Sequence, residues 1–278
     1  MNSTPMSRVL PILLTLLLLP LSACAQEKPA THVLIVGNSL VYTNNLAGLF
    51  NSLAAAQPQP QAQDLRADML VAAGGSLAER RDDGGVARAI DSGRWQVLVL
   101  QERGGVLACL DNPKQREEND CRGSVNAHRA LAALAKKRGM RVILLGTWGP
   151  DAIWQGQLSR GVRRLAAKID AEAVDAGPVL RDYASDHPTP AMFQDDILHP
   201  TLDGSLILAG LLYRQVSGHV AMARALQIDA PLYPVRIRPD GTHLTSEQTD
   251  LPGERGTKIT AERLEPLLLV TGAVEDKK

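Results

Sequence analysis

The sequence predicts an α/β fold built on a parallel β-sheet. From Thr31 onward, short runs of β-branched and aliphatic residues alternate with segments of helical periodicity, which is typical of βαβ units. Residues 97–100 are apolar at every position, as expected for a strand buried on both faces. Residues 153–176 carry apolar side chains along one helical face. These observations favour a parallel sheet covered by helices over a β-sandwich or a helical bundle.

The composition narrows the class of protein further. The chain has 278 residues, with 30 basic and 30 acidic side chains. A nucleic-acid-binding protein would carry an excess of basic residues, and a disordered chain would not be 45% hydrophobic. Only 3% of the residues are aromatic, so aliphatic side chains must fill the core. We therefore expect an ordinary globular protein that does not bind nucleic acid.

The first 23 residues are predicted to be an export signal. An apolar run at residues 9–21 follows Arg8 and ends at Leu21-Ser22-Ala23-Cys24. The run is too short to span a bilayer comfortably and is typical of a secretory signal. Its end resembles the bacterial lipobox, in which the cysteine is lipidated and becomes the new amino terminus. This resemblance implies a lipid anchor at Cys24 and a spacer over residues 24–30. The alternative is an ordinary secretory signal.

Export would place the remaining cysteines in an oxidising compartment. By resemblance to the sorting rule for lipoproteins, Ala25 after the lipidated cysteine favours the periplasmic face of the outer membrane. There Cys109 and Cys121 form an even pair, for which a disulfide is the natural interpretation. Closing so short a loop stabilises a fold by about 3 kcal/mol in the chain-entropy model. A pair of free thiols is the alternative, and a zinc site would have only His128 nearby as a further ligand.

The predicted strands are short apolar runs, several of which end at glycine or proline. Gly74-Gly75 follows the second, and Gly149-Pro150 follows the fourth. Gly177-Pro178 is expected to lead into the fifth. The five strands are predicted at residues 32–36, 65–72, 95–100, 141–147 and 179–183.

The predicted helices follow from apolar residues spaced three and four apart. In the first, Leu46, Leu49, Phe50 and Leu53 form one stripe, and Pro58 stops it. Gly139 is expected to end the second. The last is apolar nearly all round, as a helix packed between two layers should be. The four helices are predicted at residues 45–56, 124–138, 153–176 and 206–216.

The C-terminal residues 227–278 are predicted to be an accessory extension to a domain at residues 31–226. Residues 235–238 and 243–245 flank Pro239-Asp240-Gly241-Thr242, which predicts a hairpin. Residues 262–270 fit either a helix or an edge strand, and Pro266 argues against an uninterrupted helix.

Two segments carry residues suited to catalysis. Strand one runs into Gly37-Asn38-Ser39-Leu40, which places Ser39 at the carboxyl edge of the sheet, where open α/β sheets hold their sites. Taken alone, such a serine is most often a turn residue. The segment Asp196-Ile197-Leu198-His199-Pro200 follows strand five and is expected at the same edge. An aspartate three residues before a histidine can orient the imidazole, so that its other nitrogen accepts a serine proton.

These two segments resemble the first and last blocks of the SGNH, or GDSL, hydrolases. The resemblance covers about residues 33–218 and implies a flavodoxin-like three-layer α/β/α fold with a central five-stranded parallel sheet. The family contains esterases, lipases and carbohydrate deacetylases. The match implies that Ser39 is the nucleophile, His199 the base and Asp196 its orienting partner. Asp195 is a competing partner, but the D-x-x-H spacing selects Asp196.

The resemblance also implies an oxyanion hole, with one departure from the family pattern. The Ser39 and Gly75 backbone N–H groups fit two of the family's donors. The family's third donor is an asparagine after strand three, where this chain has Gln101. Gln101 carries the same carboxamide on a longer side chain and is the preferred candidate, with a buried structural amide as the alternative. Asn119, inside the polar loop between the cysteines, is a weaker substitute.

Other residues near this edge are candidates for lining the substrate pocket. Trp148 and Asp151 follow strand four, although core packing and helix capping are the commoner roles for such residues. Glu102 and Arg103 adjoin Gln101 and are candidates for pairing with each other. The histidines outside the D-x-x-H segment show no metal-ligand spacing.

The sequence therefore predicts an exported, lipid-anchored serine esterase that needs no cofactor or metal. The expected substrate is a small acyl ester or an acylated carbohydrate, reached through an acyl-enzyme mechanism. Two alternatives stay open at this point. The protein could pass the acyl group to a glycan hydroxyl as an acyltransferase, or it could be a non-catalytic envelope-binding lipoprotein on the same fold.

Overall fold

The computed structural model describes residues 30–58, 64–194, 196, 198–244 and 251–272. Its strands are β1 (Thr31–Gly37), β2 (Leu65–Ala72), β3 (Val97–Gln101), β4 (Arg141–Leu145), β5 (Glu172–Val174), β6 (Leu226–Ile228), β7 (Asp240–Leu244) and β8 (Thr257–Ile259). Six of them form one sheet in the order β5-β4-β3-β1-β2-β7. The first five are parallel, and β7 runs antiparallel to β2. The predicted five-stranded parallel sheet is confirmed, with β7 as an additional edge strand.

Helices cover both faces of this sheet. They are α1 (Ser39–Tyr42), α2 (Leu46–Ala55), α3 (Leu77–Asp82), α4 (Gly85–Asp91), α5 (Asn119–Lys137), α6 (Ala152–Ile169), α7 (Ala176–Asp186), α8 (Leu202–Ser217) and α9 (Ala261–Gly272). Val33 and Ile35 of β1 pack with the α2, α7, α8 and α9 side, whereas Leu34 and Val36 pack with α3 to α6. This alternation makes three layers, as predicted. Among the described helices, none is both long and apolar enough to cross a membrane.

The fifth strand does not lie where the sequence predicts it. The predicted helix at 153–176 ends at Ile169, because Asp170 adopts a left-handed conformation with φ of 49°. β5 follows at Glu172–Val174 and pairs with β4. Residues 179–183, predicted to be a strand, belong to α7. Pro178 lies in the first turn of that helix, where its missing N–H removes no intrahelical bond.

Other boundaries differ by smaller amounts. α5 begins at Asn119, five residues before its predicted start, because residues of the cysteine loop join the helix. β7 pairs with β2 and not with residues 235–238, so the predicted hairpin is wrong; position 245 lies outside the described residues. Residues 262–270 are helical, and Pro266 is accommodated within α9. Leu264, Leu267 and Leu268 bury its apolar face in the core, which holds the helix despite one missing backbone bond.

The described residues after 226 pack closely against the rest of the fold. β7 covers the free edge of β2. On α9, Arg263 pairs with the buried Asp203 of α8, with Nη2 and Oδ1 2.7 Å apart. Arg214 of α8 donates to the carbonyl of Thr271 at 2.8 Å. With these contacts in place, residues 232–239 lie alongside α1, the helix that begins with Ser39.

Cys109 and Cys121 form a disulfide with their Cα atoms 6.0 Å apart, as predicted. Cys109 lies in a 3₁₀ helix at Val106–Asp111, and Cys121 lies in the first turn of α5. Both cysteines are buried. The bond therefore fastens the excursion after β3 to α5. Cys24, the predicted lipidation site, lies outside the described residues.

Candidate active site

β1 leads directly into the turn that presents Ser39, the first residue of α1. Asn38 caps the helix, because its side-chain oxygen accepts a hydrogen bond from the Leu40 N–H at 3.1 Å. The Asn38 amide also donates to the carbonyl of Gly75 at 3.0 Å. An aspartate could not make this second bond, since a carboxylate has no proton to donate. Asn38 therefore fastens the serine turn to the loop after β2.

The loop between α7 and α8 brings Asp196 and His199 to Ser39. His199 Nε2 lies 2.8 Å from Ser39 Oγ, and His199 Nδ1 hydrogen-bonds to Asp196 Oδ2. The other Asp196 oxygen accepts the backbone N–H groups of Leu198 and His199 at 3.0 and 2.9 Å. The three side chains thus form one hydrogen-bonded chain in the order Ser, His, Asp. Asp195, the competing partner, lies outside the described residues.

The surroundings of Asp196 favour its ionised form. Burial raises the pKa of this carboxyl, but hydrogen bonds from the backbone and imidazole of His199 and from the Leu198 N–H outweigh burial and lower the pKa below its usual value. An ionised Asp196 holds the Nδ1–H tautomer of His199. Nε2 is then free to accept the proton of the Ser39 hydroxyl.

Three hydrogen bonds hold the loop that carries His199 in place. Trp148, a candidate for pocket lining, is buried and donates from its indole N–H to the carbonyl of Leu198 at 2.6 Å. The Gln194 N–H donates to the carbonyl of His199 at 2.8 Å. Asn44 donates from its side-chain amide to the carbonyl of Pro200 at 3.0 Å. Trp148 therefore supports the loop that carries the imidazole.

The proposed oxyanion donors lie next to the serine turn but have protein partners. The Gly75 N–H donates to the carbonyl of Ala72 at 3.2 Å. Gln101 is buried beneath Gly37; its side-chain oxygen accepts the Asn38 N–H at 3.0 Å, and its amide donates to the carbonyl of Glu102. Their role in an oxyanion hole stays a prediction. The Ser39 N–H is at the first position of α1, where a helix leaves its amide without an intrahelical acceptor.

Glu102, a buried carboxylate beside Gln101, joins three elements, a role that its place in the sequence did not indicate. One oxygen of Glu102 accepts the N–H groups of Leu77 and Arg103 at 3.2 and 2.7 Å, and the other accepts the Ser124 hydroxyl at 2.6 Å. The suggested pairing of Glu102 with the Arg103 side chain is wrong, because that guanidinium pairs with Asp120 at 3.2 Å. Glu102 thereby fixes the start of α3, just after Gly75, to the end of β3.

His128 lies behind this carboxylate and is completely buried. Burial lowers the pKa of its imidazole, and the charge of Glu102 and a hydrogen bond to Ser124 only partly oppose this. Its Nδ1 lies 2.8 Å from the Ser124 carbonyl oxygen, and its Nε2 has no partner among the described residues. His128 is therefore neutral, and its Nδ1 carries the proton that it donates to the Ser124 carbonyl.

Tyr42 is a further residue near the nucleophile that the sequence analysis missed. It lies three residues after Ser39 in α1, so both side chains project from the same side of that helix. Its buried hydroxyl donates to the carbonyl of Ile237 at 3.0 Å. Burial raises the pKa of Tyr42, whereas the charge of Arg238 and hydrogen bonds with Arg238 and Ser39 lower it. The one sequence feature that could have indicated Tyr42 is its spacing of three residues from Ser39.

The rim of the site on the β3 side is apolar. Trp154 packs against Gly105, where an added Cβ would lie 3.6 Å from the indole ring. Leu198 is 41% exposed and Trp154 is 39% exposed. Asp151 caps α6, accepting the Trp154 N–H at 2.8 Å, so it has the capping role and does not line a pocket through that oxygen. Among the described residues, no cluster of three histidine, cysteine or carboxylate side chains could hold a metal ion.

Among the comparisons with known proteins, the one with solved structures finds proteins similar to this chain. No family model and no curated protein matches the sequence. The fold is similar to that of LAE5, described as an α/β hydrolase enzyme from the metagenome of Lake Arreo in Spain, with 16% identity and a TM-score of 0.50 over 69% of this chain and 97% of that one. It is also similar to Axe2, an acetylxylan esterase from Geobacillus stearothermophilus, at 14% identity and a TM-score of 0.52 over the same shares.

A third solved structure has the same relation to this chain. It comes from Parabacteroides merdae and is described as a GDSL-like lipase, with 14% identity and a TM-score of 0.50 over 69% of this chain and 97% of that one. These neighbours are matched over nearly their whole length. At such low identity the likeness establishes the fold that this chain shares with them.

Proposed function

We propose that this chain, which has the fold of the SGNH/GDSL-type hydrolases, is a serine hydrolase of carboxylic esters. The observation that carries the proposal is the hydrogen-bonded chain from Ser39 through His199 to Asp196. Ser39 and His199 are 160 positions apart in the sequence and meet at the carboxyl edge of the parallel sheet. A solitary turn serine would not need a half-buried histidine and an ionised carboxylate aligned behind it.

The reaction proceeds through an acyl-enzyme. His199 Nε2 removes the proton of Ser39 as Oγ attacks the ester carbonyl, and Asp196 stabilises the resulting imidazolium. The imidazolium then gives its proton to the leaving alkoxide as the ester C–O bond breaks. Water repeats the sequence on the acyl-enzyme and releases the acid. The Ser39 N–H is positioned to stabilise the oxyanion, and the Gly75 and Gln101 groups would have to exchange their present partners to assist it.

A short-acyl ester, such as an acetylated carbohydrate, is the substrate class that the neighbours favour. Axe2 is an acetylxylan esterase, and its catalytic variants replace a serine, an aspartate and a histidine. That aspartate precedes the histidine by three positions, the spacing found between Asp196 and His199. The apolar rim of Trp154 and Leu198 would face the substrate beside the imidazole.

A fluorophosphonate probe tests the proposal directly. Such a probe reacts with an activated serine, and we expect one phosphonate per chain, located at Ser39 by peptide mass spectrometry. Acid-denatured protein should not be labelled, because the His199–Asp196 arrangement is lost. Labelling at another serine, or none in protein that is folded by circular dichroism, would contradict the proposal and favour a non-catalytic binding role.

The fate of the acyl group distinguishes hydrolysis from transfer. With an acetate ester and a glycan acceptor present together, hydrolysis yields free acetate in proportion to the alcohol released. Acylated glycan in place of acetate would instead identify an acyltransferase with the same catalytic groups.

We also propose that the mature protein is exported and anchored by lipid at Cys24, on the periplasmic face of the outer membrane. The apolar run at residues 9–21, the Leu21-Ser22-Ala23-Cys24 segment and the disulfide between Cys109 and Cys121 support this location. In a bacterial host fed an alkyne fatty acid, the full chain should be labelled and found in the membrane fraction. Cys24→Ser should be unlabelled, and Cys109→Ser should keep the label. Label retained on Cys24→Ser would exclude this anchor.

A further inference from the structure

Residues 237–239 connect α1, the helix that begins with Ser39, to the loop after β2. The carbonyl of Ile237 accepts the Tyr42 hydroxyl at 3.0 Å, which ties it to the helix that begins with Ser39. The carbonyl of Pro239 accepts the N–H of Ala73 at 2.9 Å, two positions before Gly75. Arg238 lies between these two attachments and is exposed. The extension thus presents a cation between the serine turn and the loop after β2.

The Arg238 side chain is held by neutral acceptors. Its Nη1 donates to the carbonyls of Val235 and Ile237 at 2.9 and 3.1 Å. Among the side chains that the structure describes, no carboxylate forms an ion pair with it. Two arginines near the loops after β2 and β3 do have such partners, because Arg80 pairs with Asp83 at 2.9 Å and Arg103 pairs with Asp120 at 3.2 Å. Backbone carbonyls therefore order Arg238, and no carboxylate among the described side chains neutralises its charge.

Tyr42 connects this cation to the nucleophile. The Tyr42 hydroxyl and the Arg238 guanidinium donate to the same oxygen, the carbonyl of Ile237. Burial raises the pKa of Tyr42, and the charge of Arg238 and hydrogen bonds with Arg238 and Ser39 oppose this rise. One buried side chain, that of Tyr42, thus lies between the positive charge of Arg238 and the group that attacks the ester.

From this arrangement we propose that Arg238 binds an anionic group of the substrate, so that the protein prefers esters carrying a carboxylate close to the scissile bond. The inference rests on the proposed function, which it extends by naming a substrate class. A guanidinium recognises a carboxylate through paired N–H donors. Because backbone carbonyls already order the side chain, substrate binding costs less conformational entropy. The apolar side chains of Trp154 and Leu198 would then receive the uncharged part of the substrate.

The test compares pairs of esters in which one member carries an added carboxylate. In the acyl series, 4-nitrophenyl valerate is matched with the hemiglutarate, in which a carboxylate replaces the terminal methyl. In the alcohol series, phenyl acetate is matched with 3-carboxyphenyl acetate. For each pair the measured quantity is the anionic-to-neutral ratio of kcat/KM, determined for the unchanged protein, for Arg238→Gln and for Arg238→Lys. Arg236→Gln is the control, since Arg236 is an exposed arginine two residues away.

We expect Arg238→Gln to lower this ratio by about 10- to 100-fold in at least one series, the effect of losing one charge-assisted hydrogen-bonded pair. Arg238→Lys should lower it less, and added salt should reduce the ratio of the unchanged protein, because an exposed charge is screened. Arg236→Gln should leave the ratio unchanged. Equal losses on neutral and anionic esters would assign Arg238 to positioning Tyr42 and overturn the proposal, as would no loss in either series. Failure of the proposed function is distinct, since the unchanged protein would then hydrolyse none of the four esters.

Discussion

Replacing Ser39 with alanine is expected to reduce kcat for ester hydrolysis by on the order of 10⁶-fold, the scale found when a serine nucleophile is removed from such a triad. The reason is that no other described nucleophile lies within hydrogen-bonding distance of His199 Nε2. Folding should be nearly unaffected. The turn is held by the backbone and side chain of Asn38, and the Ser39 side chain is not deeply buried. We therefore expect a melting temperature within about 2 °C of the unchanged protein.

The Ser39→Ala experiment needs two controls, one for the removal of a serine hydroxyl in general and one for the catalytic mechanism. Ser92→Ala removes an exposed hydroxyl at the end of α4 and should keep full activity. The double variant Ser39→Ala with His199→Ala should be no slower than Ser39→Ala alone, because the two groups act as one unit. Turnover above a few per cent in purified Ser39→Ala would exclude Ser39 as the nucleophile.

The parts of the site that could be predicted are those encoded by short spacing. Asp196 and His199 share one tight loop, so the D-x-x-H segment already brings the carboxylate to the imidazole. Ser39 follows a strand directly, and the edge of a parallel sheet fixes where such a residue lies. Tyr42 and Arg238 were not predicted because their relation to Ser39 depends on the C-terminal segment folding back onto α1. No local pattern encodes that contact.

For Gln101, the sequence predicted the residue type at the site but not the contacts of its side chain. The resemblance assigns it the role of an asparagine, but its longer side chain reaches beneath Gly37, where an added Cβ would meet the Gln101 oxygen at 2.3 Å. In that position the carboxamide supports the Asn38 backbone. Residue type indicated an amide at the end of β3, and only the packing around Gly37 shows what this amide contacts.

The fold was predicted best where strands are long. β1 and β2 have seven and eight residues and lie almost where expected, whereas β5 has three. The apolar periodicity of α6 continues across Asp170 through Ala173, so periodicity alone cannot locate the end of the helix. The left-handed conformation of Asp170 ends it, and a non-glycine residue gives only a weak signal for that conformation.

Removing the disulfide is expected to lower the free energy of unfolding by about 3 kcal/mol, from the loop-closure entropy of so short a segment. The bonded cysteines are 12 positions apart. For a protein of this size that corresponds to a melting temperature about 6–12 °C lower. The comparison is between the unchanged protein and Cys109→Ala with Cys121→Ala, measured by scanning calorimetry. Alanine is chosen because both positions are buried and a serine hydroxyl there would lack partners.

Loss of the disulfide should lower the stability of the protein and leave its catalytic activity nearly unchanged. The 3₁₀ helix that carries Cys109 keeps other attachments, since Asp111 binds Arg160 and Arg164 of α6 at 2.7 and 2.9 Å. We therefore expect kcat at 25 °C to change by less than about twofold, because surface ion pairs and local packing still hold the excursion after β3. Reductant should lower the melting temperature of the unchanged protein toward that of the double variant and should not affect the variant. Equal melting temperatures for the two oxidised proteins would mean that the excursion is already ordered without its covalent link.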